Sequence, residues 1–356
     1  MQKDGEAMKV EVPWKKPAVS VDIDAIALMI ADLQKETGEI PWSKGGKTDP
    51  WDHVEAAMGL CICGYIAEAR AAYEWLAEIQ LEDGSWYSSY LDGTPLDRTR
   101  ETNISAYIAV GVFHYYLITR DIRFLYQMWP VIEAAMDFAV SLQAPTGEIY
   151  WAKSPDLEID PMALLTGSSS IFMSLKCALS IAGLLGRAKP DWQTALISLG
   201  EAIRDGYHLF NITKSRYSMD WFYPVLSGAV TGEAARERID QQWKKFVVEG
   251  MGVLCVSDRP WVTIAETCEL VLAMAAMGNQ KIAAIVFSWL IDRKFEDGSY
   301  WCGFTYPDMV IWPEDKISWT NGVFIMAADA LYQMTPAADL FNHHFWNTSE
   351  FASYLK

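Results

Sequence analysis

The sequence is short of basic residues, paired cysteines and long apolar runs, and each shortage excludes a class of protein. Its 29 Lys and Arg residues against 46 Asp and Glu give a net charge of -17, which repels nucleic acids and anionic membranes. Its six cysteines lack zinc-ligand spacing, so we expect reduced thiols in a cytoplasmic protein with no metal and no cofactor. The longest apolar run, Ile104 to Thr119, is shorter than the roughly 20 residues of a membrane span. The N-terminal residues have no apolar signal region, so we expect no signal peptide. With nucleic acids and membranes excluded, the expected partner is a small-molecule substrate.

Apolar residues with helical spacing are plentiful, at 51% of the chain, and strand patterns are almost missing. Some segments, such as 66–80, carry one apolar stripe among charged residues, as surface helices do. Others, such as Val54 to Cys63 and Ile171 to Leu185, are apolar on nearly every face, which indicates a buried helix.

The two kinds of predicted helix alternate along the chain. The outer helices are predicted at 21–37, 66–80, 121–143, 190–209, 232–247 and 279–293. The inner helices are predicted at 51–64, 102–119, 167–185, 219–230, 262–278 and 317–334. Six hairpins with buried inner helices predict an all-α fold, an (α/α)6 barrel. We expect one barrel domain at 21–345, between an N-terminal extension at 1–20 and a C-terminal tail at 346–356.

Loops from an outer to an inner helix repeat one pattern. Gln80 to Trp86 reads QLEDGSW, and similar segments run from Gln143 to Ile149 and from Lys294 to Tyr300. Each has a glycine just past a helix end, a position that favours a residue without a Cβ atom. Self-similarity at about 50–65 residues indicates a repeated hairpin.

Two segments carry a resemblance to known families. Pro41 to Trp86, and Tyr116 to Gln143 followed by TGEIYW, resemble the first two hairpins of six-hairpin glycosidases such as glucoamylases and glycogen-debranching glucosidases. The stretch AAYEWLAEIQLEDGSW also resembles the Gln-Trp motif of squalene cyclases and protein prenyltransferases, where it is a structural clamp. Both resemblances imply a helical barrel, and the first implies glycoside hydrolysis.

Carboxylates in the loops leading to the inner helices are the candidate catalysts, because these loops share one end of the barrel. Glycoside hydrolysis needs one acid and one base or nucleophile. We predict Asp52, Asp220 and Glu266 as catalytic, and the resemblance supports Asp52, since the glycosidases carry a Trp-Asp or Arg-Asp at this point. Helix capping is the alternative for two of them. Asp49 would be the N-cap of a helix whose first turn contains Asp52, and Glu266 would close a capping box with a threonine.

The same loops are rich in aromatic and polar side chains that could bind a sugar. The predicted substrate-binding residues are Trp51, His53, Trp86, Glu101, Trp151, Trp221, Tyr223, Asp258, Arg259, Trp261, Asp308, Trp312 and Trp319. For His53 a hydrogen-bonded core position is the alternative, and for Arg259 an ion pair with Asp258 or a neighbouring residue. No predicted site binds a metal.

Three functions follow, and a carbohydrate-active enzyme, a glycoside hydrolase, is the first. An isoprenoid cyclase or prenyltransferase is the second, although the chain has no Asp-Asp dipeptide of the kind that binds diphosphate metals. The third is a sugar-binding barrel without catalysis, because Ser168 to Ser170 occupies the place where debranching-type relatives carry a carboxylate.

Overall fold

Six pairs of helices, each an outer and then an inner one, make up the computed structural model, which describes residues 21–355. The pairs are α1 (Ile23–Leu33) with α2 (Pro50–Ile62), α3 (Ile66–Ile79) with α4 (Thr102–Ala106) and its continuation α5 (Ile108–Thr119), α6 (Ile122–Ser141) with α7 (Leu165–Leu184), α8 (Pro190–Asp205) with α9 (Ser218–Leu226), α10 (Gly232–Phe246) with α11 (Ile264–Ala276), and α12 (Gln280–Ser288) with α13 (Ser318–Tyr332). The predicted all-α fold of alternating hairpins is confirmed. The extension at 1–20 lies outside the described residues.

The inner helices form a closed ring. Along the ring α2 contacts α5, α5 contacts α7, α7 contacts α9, α9 contacts α11, and α11 contacts α13, which returns to α2. Every residue of α11 is buried, whereas the outer helix α10 buries only Ala235, Ile239 and Phe246. The hydrophobic core therefore lies between the inner helices and beneath the outer ones.

Helix α7 is apolar and long enough to cross a membrane, and it is the one such helix within residues 21–355. Of its most apolar stretch, 83% is buried inside the barrel. Its composition is therefore that of a core helix.

Within residues 21–355, nine short strands lie in the outer-to-inner connections, where the sequence indicated almost none. They are β1 (Ser89–Leu91), β2 (Thr94–Asp97), β3 (Arg100–Glu101), β4 (Tyr150–Lys153), β5 (Ile159–Ala163), β6 (Val247–Val248), β7 (Gly252–Leu254), β8 (Trp261–Thr263) and β9 (Gly303–Thr305). They form antiparallel sheets in the orders β1-β2, β3-β4-β5 and β6-β7-β8-β9. Strands of two to five residues are too short to show a two-residue alternation, so their pairing depends on the loops that the barrel brings together.

The repeated loops form one clamp at successive hairpins. Gln80 Nε2 donates to the carbonyl oxygens of Gly84 and of Val131 on α6, at 2.9 Å each. Gln143 makes the same two bonds, to its own loop glycine and to α8. Trp86 donates its indole N–H back into α3 at 2.8 Å. At two of the three repeated loops the glutamine therefore ties the loop to the next outer helix, and at the first of them Trp86 also ties it back to α3.

We expect Gly84→Ala to lower the free energy of unfolding much more than Gly298→Ala. The two glycines have nearly the same φ, +86° and +89°, so an alanine at either position costs about 1–2 kcal/mol of backbone strain. At Gly84 the added Cβ would also lie 2.1 Å from the carbonyl oxygen of Ala134, whereas at Gly298 the closest atom, the Cβ of Ala25, is 3.5 Å away. Urea denaturation should give a total loss of about 3–5 kcal/mol for Gly84→Ala. Equal losses of unfolding free energy for the two variants would contradict the close packing of Gly84 on α6.

The C-terminal segment packs on the end of the barrel opposite the strands. It contains α14 (His343–Thr348) and a 3₁₀ turn (Glu350–Leu355) that contacts α7. Trp346 and Phe351 are buried, with ring centroids 5.9 and 5.0 Å from that of Phe113. The described part of 346–356 is therefore attached to the barrel by aromatic packing.

Candidate active site

A cleft of about 440 Å³ opens at the barrel end that carries the strands. Its walls come from the first turns of the inner helices and from the loops before them. The lining residues are Trp42, Lys47, Asp49, Trp51, Asp52, Glu55, Ser88, Ser89, Asp97, Glu101, Asn103, Ile104, Leu164, Thr166, Gly167, Met219, Glu266, Glu269 and Trp319. Two of the three predicted catalytic residues, Asp52 and Glu266, lie in this cleft.

Asp52 sits in the first turn of α2 beside a second carboxylate. Asp49 is the N-cap, and its Oδ1 accepts the backbone N–H of Asp52 at 3.0 Å while its Oδ2 accepts the indole N–H of Trp42 at 2.7 Å. The capping role therefore belongs to Asp49, and the carboxyl of Asp52 is left to face the cleft. Burial, and then the charges of Asp49 and Glu55, raise the pKa of Asp52 well above its usual range.

Glu266 sits in the first turn of α11. The capping box expected with Thr263 does not form: within the described chain the threonine makes no side-chain cap bond, and its hydroxyl is buried without a partner. The carboxyls of Asp52 and Glu266 line the same cleft, on helices α2 and α11, which each contact α13 in the ring.

Two further carboxyls form the floor of the cleft, and the sequence analysis did not select them. Glu55 is one turn below Asp52 on α2, and Glu269 is one turn below Glu266 on α11. Burial raises the pKa of Glu55 to about 7, and burial with the charges of Glu55 and Glu266 raises the pKa of Glu269 well above its usual range. The signal was an acidic residue three positions after each first-turn carboxylate, on helices that are otherwise apolar.

The cleft walls are partly aromatic. Trp51 packs on Tyr107 with ring centroids 5.0 Å apart, and Trp319 and Trp42 line other parts of the wall. Glu101 accepts the Ser88 hydroxyl at 2.8 Å, and its burial raises the pKa of its carboxyl. Three predicted substrate-binding residues, Trp51, Glu101 and Trp319, thus line the cleft.

Asp220 lies behind the wall of the cleft. Its Oδ1 accepts the hydroxyl of Thr166 at 2.6 Å and the backbone N–H of Thr166 at 3.2 Å, and it is Thr166 that lines the cleft. Burial raises the pKa of the Asp220 carboxyl, although the bonds from Thr166 oppose that rise. The structure does not bring Asp220 together with Asp52 and Glu266 among the lining residues.

Several predicted substrate-binding side chains fill the core because their polar atoms are bonded there. His53 bonds to the backbone N–H of residue 40 and the carbonyl of residue 72, so its alternative core position is the one observed. Trp86 is fully buried in its clamp, and Trp221 stacks on Phe246 of α10. The hydroxyl of Tyr223 donates to Glu269 below the cleft.

Others lie around the mouth of the cleft, outside its lining. Asp258 pairs with Arg216 at 2.6 Å, and within residues 21–355 the alternative ion pair between Asp258 and Arg259 is not formed. Trp261 donates its indole N–H to the carbonyl oxygen of Trp312 at 2.8 Å, and their rings meet edge to face at 5.3 Å. Asp308 is exposed in the same loop, and Trp151 lies half-buried on β4. Between 21 and 355 no group of three or more His, Cys, Asp or Glu side chains is placed to hold a metal ion.

Comparison with known proteins gives one strong sequence match. No family model matches the chain. The MMP endo-(1,4)-3-O-methyl-alpha-D-mannosidase of Mycolicibacterium hassiacum is 48% identical over 315 residues, which cover 88% of this chain and 87% of that protein.

Solved structures share the architecture at low identity. A wild-type glycosidase superposes with a TM-score of 0.65 at 16% identity, covering 87% of this chain and 95% of that one. The GH63 mannosylglycerate hydrolase of Thermus thermophilus in complex with glucose gives 0.65 at 10%, covering 86% and 99%. A D-mannose isomerase gives 0.65 at 12%, covering 88% and 98%. The barrel therefore hosts more than one reaction, and the fold alone does not decide between them.

Proposed function

Because the chain belongs to the family of this mannosidase, it is a glycoside hydrolase, and we propose that it cleaves internal α-(1,4) bonds in chains of 3-O-methylmannose. The observation that carries the proposal is the placement of Asp52 and Glu266 in one aromatic-walled cleft. A hydrolase is the first of the three functions inferred from the sequence, and family membership favours it over the isoprenoid enzyme and the sugar-binding barrel.

Asp52 has the properties of the general acid. Its raised pKa keeps the carboxyl protonated at higher pH than an ordinary aspartate, so it can give a proton to the leaving glycosidic oxygen. Glu266 supplies the second carboxyl that such a reaction needs at the anomeric carbon. The prediction that Asp220 is catalytic stays a prediction, and turnover of Asp220→Asn measures it.

The cleft suits a sugar that is less polar than mannose. Ile104, Leu164 and Met219 line it together with three tryptophans, so methyl groups and ring faces meet apolar surface. A methylated hydroxyl no longer needs a hydrogen-bond partner, and burying it against such a wall is favourable. These contacts support a methylated substrate.

Exposed apolar side chains around the mouth support binding of a long chain. Leu96 on β2, Leu157 between β4 and β5, and Val310 are all exposed on the connections at the cleft end. Trp312 is 61% exposed and is held by Trp261. An enzyme that cuts inside a polymer has to hold sugars on both sides of the cleaved bond, and these side chains offer the surface for that.

Trp312→Ala is expected to weaken binding of long chains and to spare short ones. Loss of one stacked ring should raise KM for a long methylated chain about fivefold to twentyfold with kcat unchanged, since this contact is the same in ground and transition states. The control is Tyr126→Ala, which removes an exposed ring from the outer helix α6. Equal KM changes for short and long substrates would argue against a rim subsite.

Product analysis of the wild-type enzyme tests the proposed function. We expect a 3-O-methylmannose oligosaccharide with α-(1,4) bonds to give intermediate-length products at early times, as internal cleavage requires. An unmethylated α-(1,4)-mannose oligosaccharide should be cleaved more slowly. Release of single sugars only, or equal rates on an α-glucan, would overturn the proposal.

We also propose that the enzyme works in the cytoplasm. All six cysteines lie within residues 21–355 and none forms a disulfide, and four of them are buried: Cys61, Cys63, Cys177 and Cys268. Reduced thiols in a protein of this size are typical of a reducing compartment. Fractionation of the source cells with an activity assay tests this proposal.

A further inference from the structure

The floor of the cleft holds two buried carboxyl oxygens that nothing in the described chain satisfies. Glu55 Oε1 accepts the indole N–H of Trp51 at 2.8 Å and the hydroxyl of Tyr107 at 3.0 Å. Glu269 Oε1 accepts the hydroxyl of Tyr223 at 2.7 Å. The Oε2 atom of each glutamate is buried and has no hydrogen-bond partner among residues 21–355. Among the residues that line the cleft, Glu55 and Glu269 are the two whose side chains have a buried polar atom without a partner in the described chain.

Their neighbours hold the two carboxyls in place. Burial, and then nearby carboxyl charges, raise the pKa of the Tyr107 and Tyr223 hydroxyls well above their usual range, so both remain donors. Each tyrosine thereby fixes the Oε1 atom of its glutamate and leaves the Oε2 atom free. Neither Glu55 nor Glu269 has an ion-pair partner in the described part of the chain.

An unsatisfied buried acceptor is costly, and a binding site is where such a cost is recovered. Leaving one buried polar group without a partner destabilises the fold, and a charged group does so more. Native proteins keep few such atoms, and a ligand that donates hydrogen bonds removes the penalty. A ligand that fits this floor therefore carries two hydrogen-bonding groups.

The proposed substrate has that number of donors. A mannose ring inside an α-(1,4) chain uses the oxygens on carbons 1 and 4 in linkages, and the oxygen on carbon 3 carries the methyl group. Its free hydroxyls are those on carbons 2 and 6, on either side of the ring. The two unpartnered carboxyl oxygens match these two hydroxyls in number, and a sugar hydroxyl can donate to a carboxylate or accept from a protonated carboxyl.

We propose that Glu55 and Glu269 are substrate-binding residues that accept the 2-hydroxyl and the 6-hydroxyl of the sugar beside the cleaved bond, one hydroxyl each. This inference rests on the proposed function and adds to it the groups that recognise the ring. Such contacts position the anomeric carbon beneath Asp52 and Glu266, which lie one helical turn nearer the mouth.

Deoxy analogues of an uncleavable substrate test the inference. The probe is an α-(1,4) tetrasaccharide of 3-O-methylmannose with sulfur in place of the central glycosidic oxygen, and its 2-deoxy and 6-deoxy forms lack one hydroxyl on the ring that donates this bond. Calorimetry on the wild-type enzyme should show that each deoxy form binds about tenfold or more weakly than the parent. Glu55→Leu should abolish one of the two penalties, and Glu269→Leu the other.

The control is Glu148→Leu. Glu148 is a buried glutamate whose Oε2 atom also lacks a partner in the described chain, but it does not line the cleft. The Glu148→Leu variant should still bind both the 2-deoxy and the 6-deoxy form more weakly than the parent. Circular dichroism establishes whether each variant is folded. If a leucine variant is not folded, calorimetric binding of the deoxy forms to the wild-type enzyme decides the inference.

The outcomes separate the two proposals. Wild-type enzyme that binds all three probes equally, or deoxy penalties that persist in both leucine variants, overturns the role of the pair and leaves the proposed function intact. Binding of the parent that is lost with EDTA overturns it as well, since the floor would then hold a cation. A wild-type enzyme that neither binds the parent nor cleaves its oxygen-linked form overturns both.

Discussion

Replacing Asp52 with asparagine is expected to lower turnover of a 3-O-methylmannose oligosaccharide about 10²–10⁴-fold, with little change in melting temperature. The amide keeps the size and much of the hydrogen bonding of the side chain, but it cannot transfer a proton. The fold should survive because the cap of α2 is made by Asp49, not by the side chain of Asp52.

The pH profile gives this prediction a second readout. A general acid works in its protonated form, so kcat/KM should fall as the pH rises through the pKa of Asp52. That pKa is raised, so the fall should come above the ordinary range of an aspartate, and it should be missing from the residual activity of Asp52→Asn. The control is Asp121→Asn, which changes the N-cap of α6. Near-wild-type turnover by Asp52→Asn would remove this residue from the mechanism.

Glu266→Gln is expected to have an effect of similar size, about 10²–10⁴-fold on kcat. Glu266 is the other first-turn carboxyl in the cleft, and no capping bond of Thr263 accounts for it. Steady-state kinetics on the same oligosaccharide measure the effect, and thermal melting should show little loss of stability.

Two comparisons sharpen the test of Glu266. Glu68→Gln is the matched control, because Glu68 occupies the first turn of the outer helix α3. The double variant of Asp52 and Glu266 should be scarcely slower than either single one, since the two groups act in one step. A loss of less than about threefold for Glu266→Gln would mean that the second carboxyl lies elsewhere in the cleft.

The barrel was predictable because its signal is spread over many residues. Fully apolar segments such as 167–185 and striped ones such as 232–247 differ along their whole length, and both match observed helices within a few residues. The short strands were not predictable, since β6 and β7 pair through contacts between loops and not through an alternating pattern.

The site was predictable at its mouth but not at its floor. Asp52 and Glu266 follow loops whose direction the hairpin pattern already fixes. Glu55 and Glu269 sit one turn deeper, and only the packing of α2 and α11 shows that they face the cleft and not a neighbouring helix. The sequence also does not show which tryptophans face the cleft. Trp221 points toward α10, whereas Trp51 points toward the cleft.

A crystal structure of Asp52→Asn with an uncleaved 3-O-methylmannose tetrasaccharide would show directly whether Asp52 and Glu266 flank the cleaved bond. We expect the sugar chain to cross the cleft with one glycosidic oxygen within hydrogen-bond distance, about 2.6–3.2 Å, of the residue 52 side chain. The carboxylate of Glu266 should face the anomeric carbon of the same bond. A tetrasaccharide bound outside the cleft, or one whose glycosidic oxygens all lie far from both side chains, would contradict this expectation.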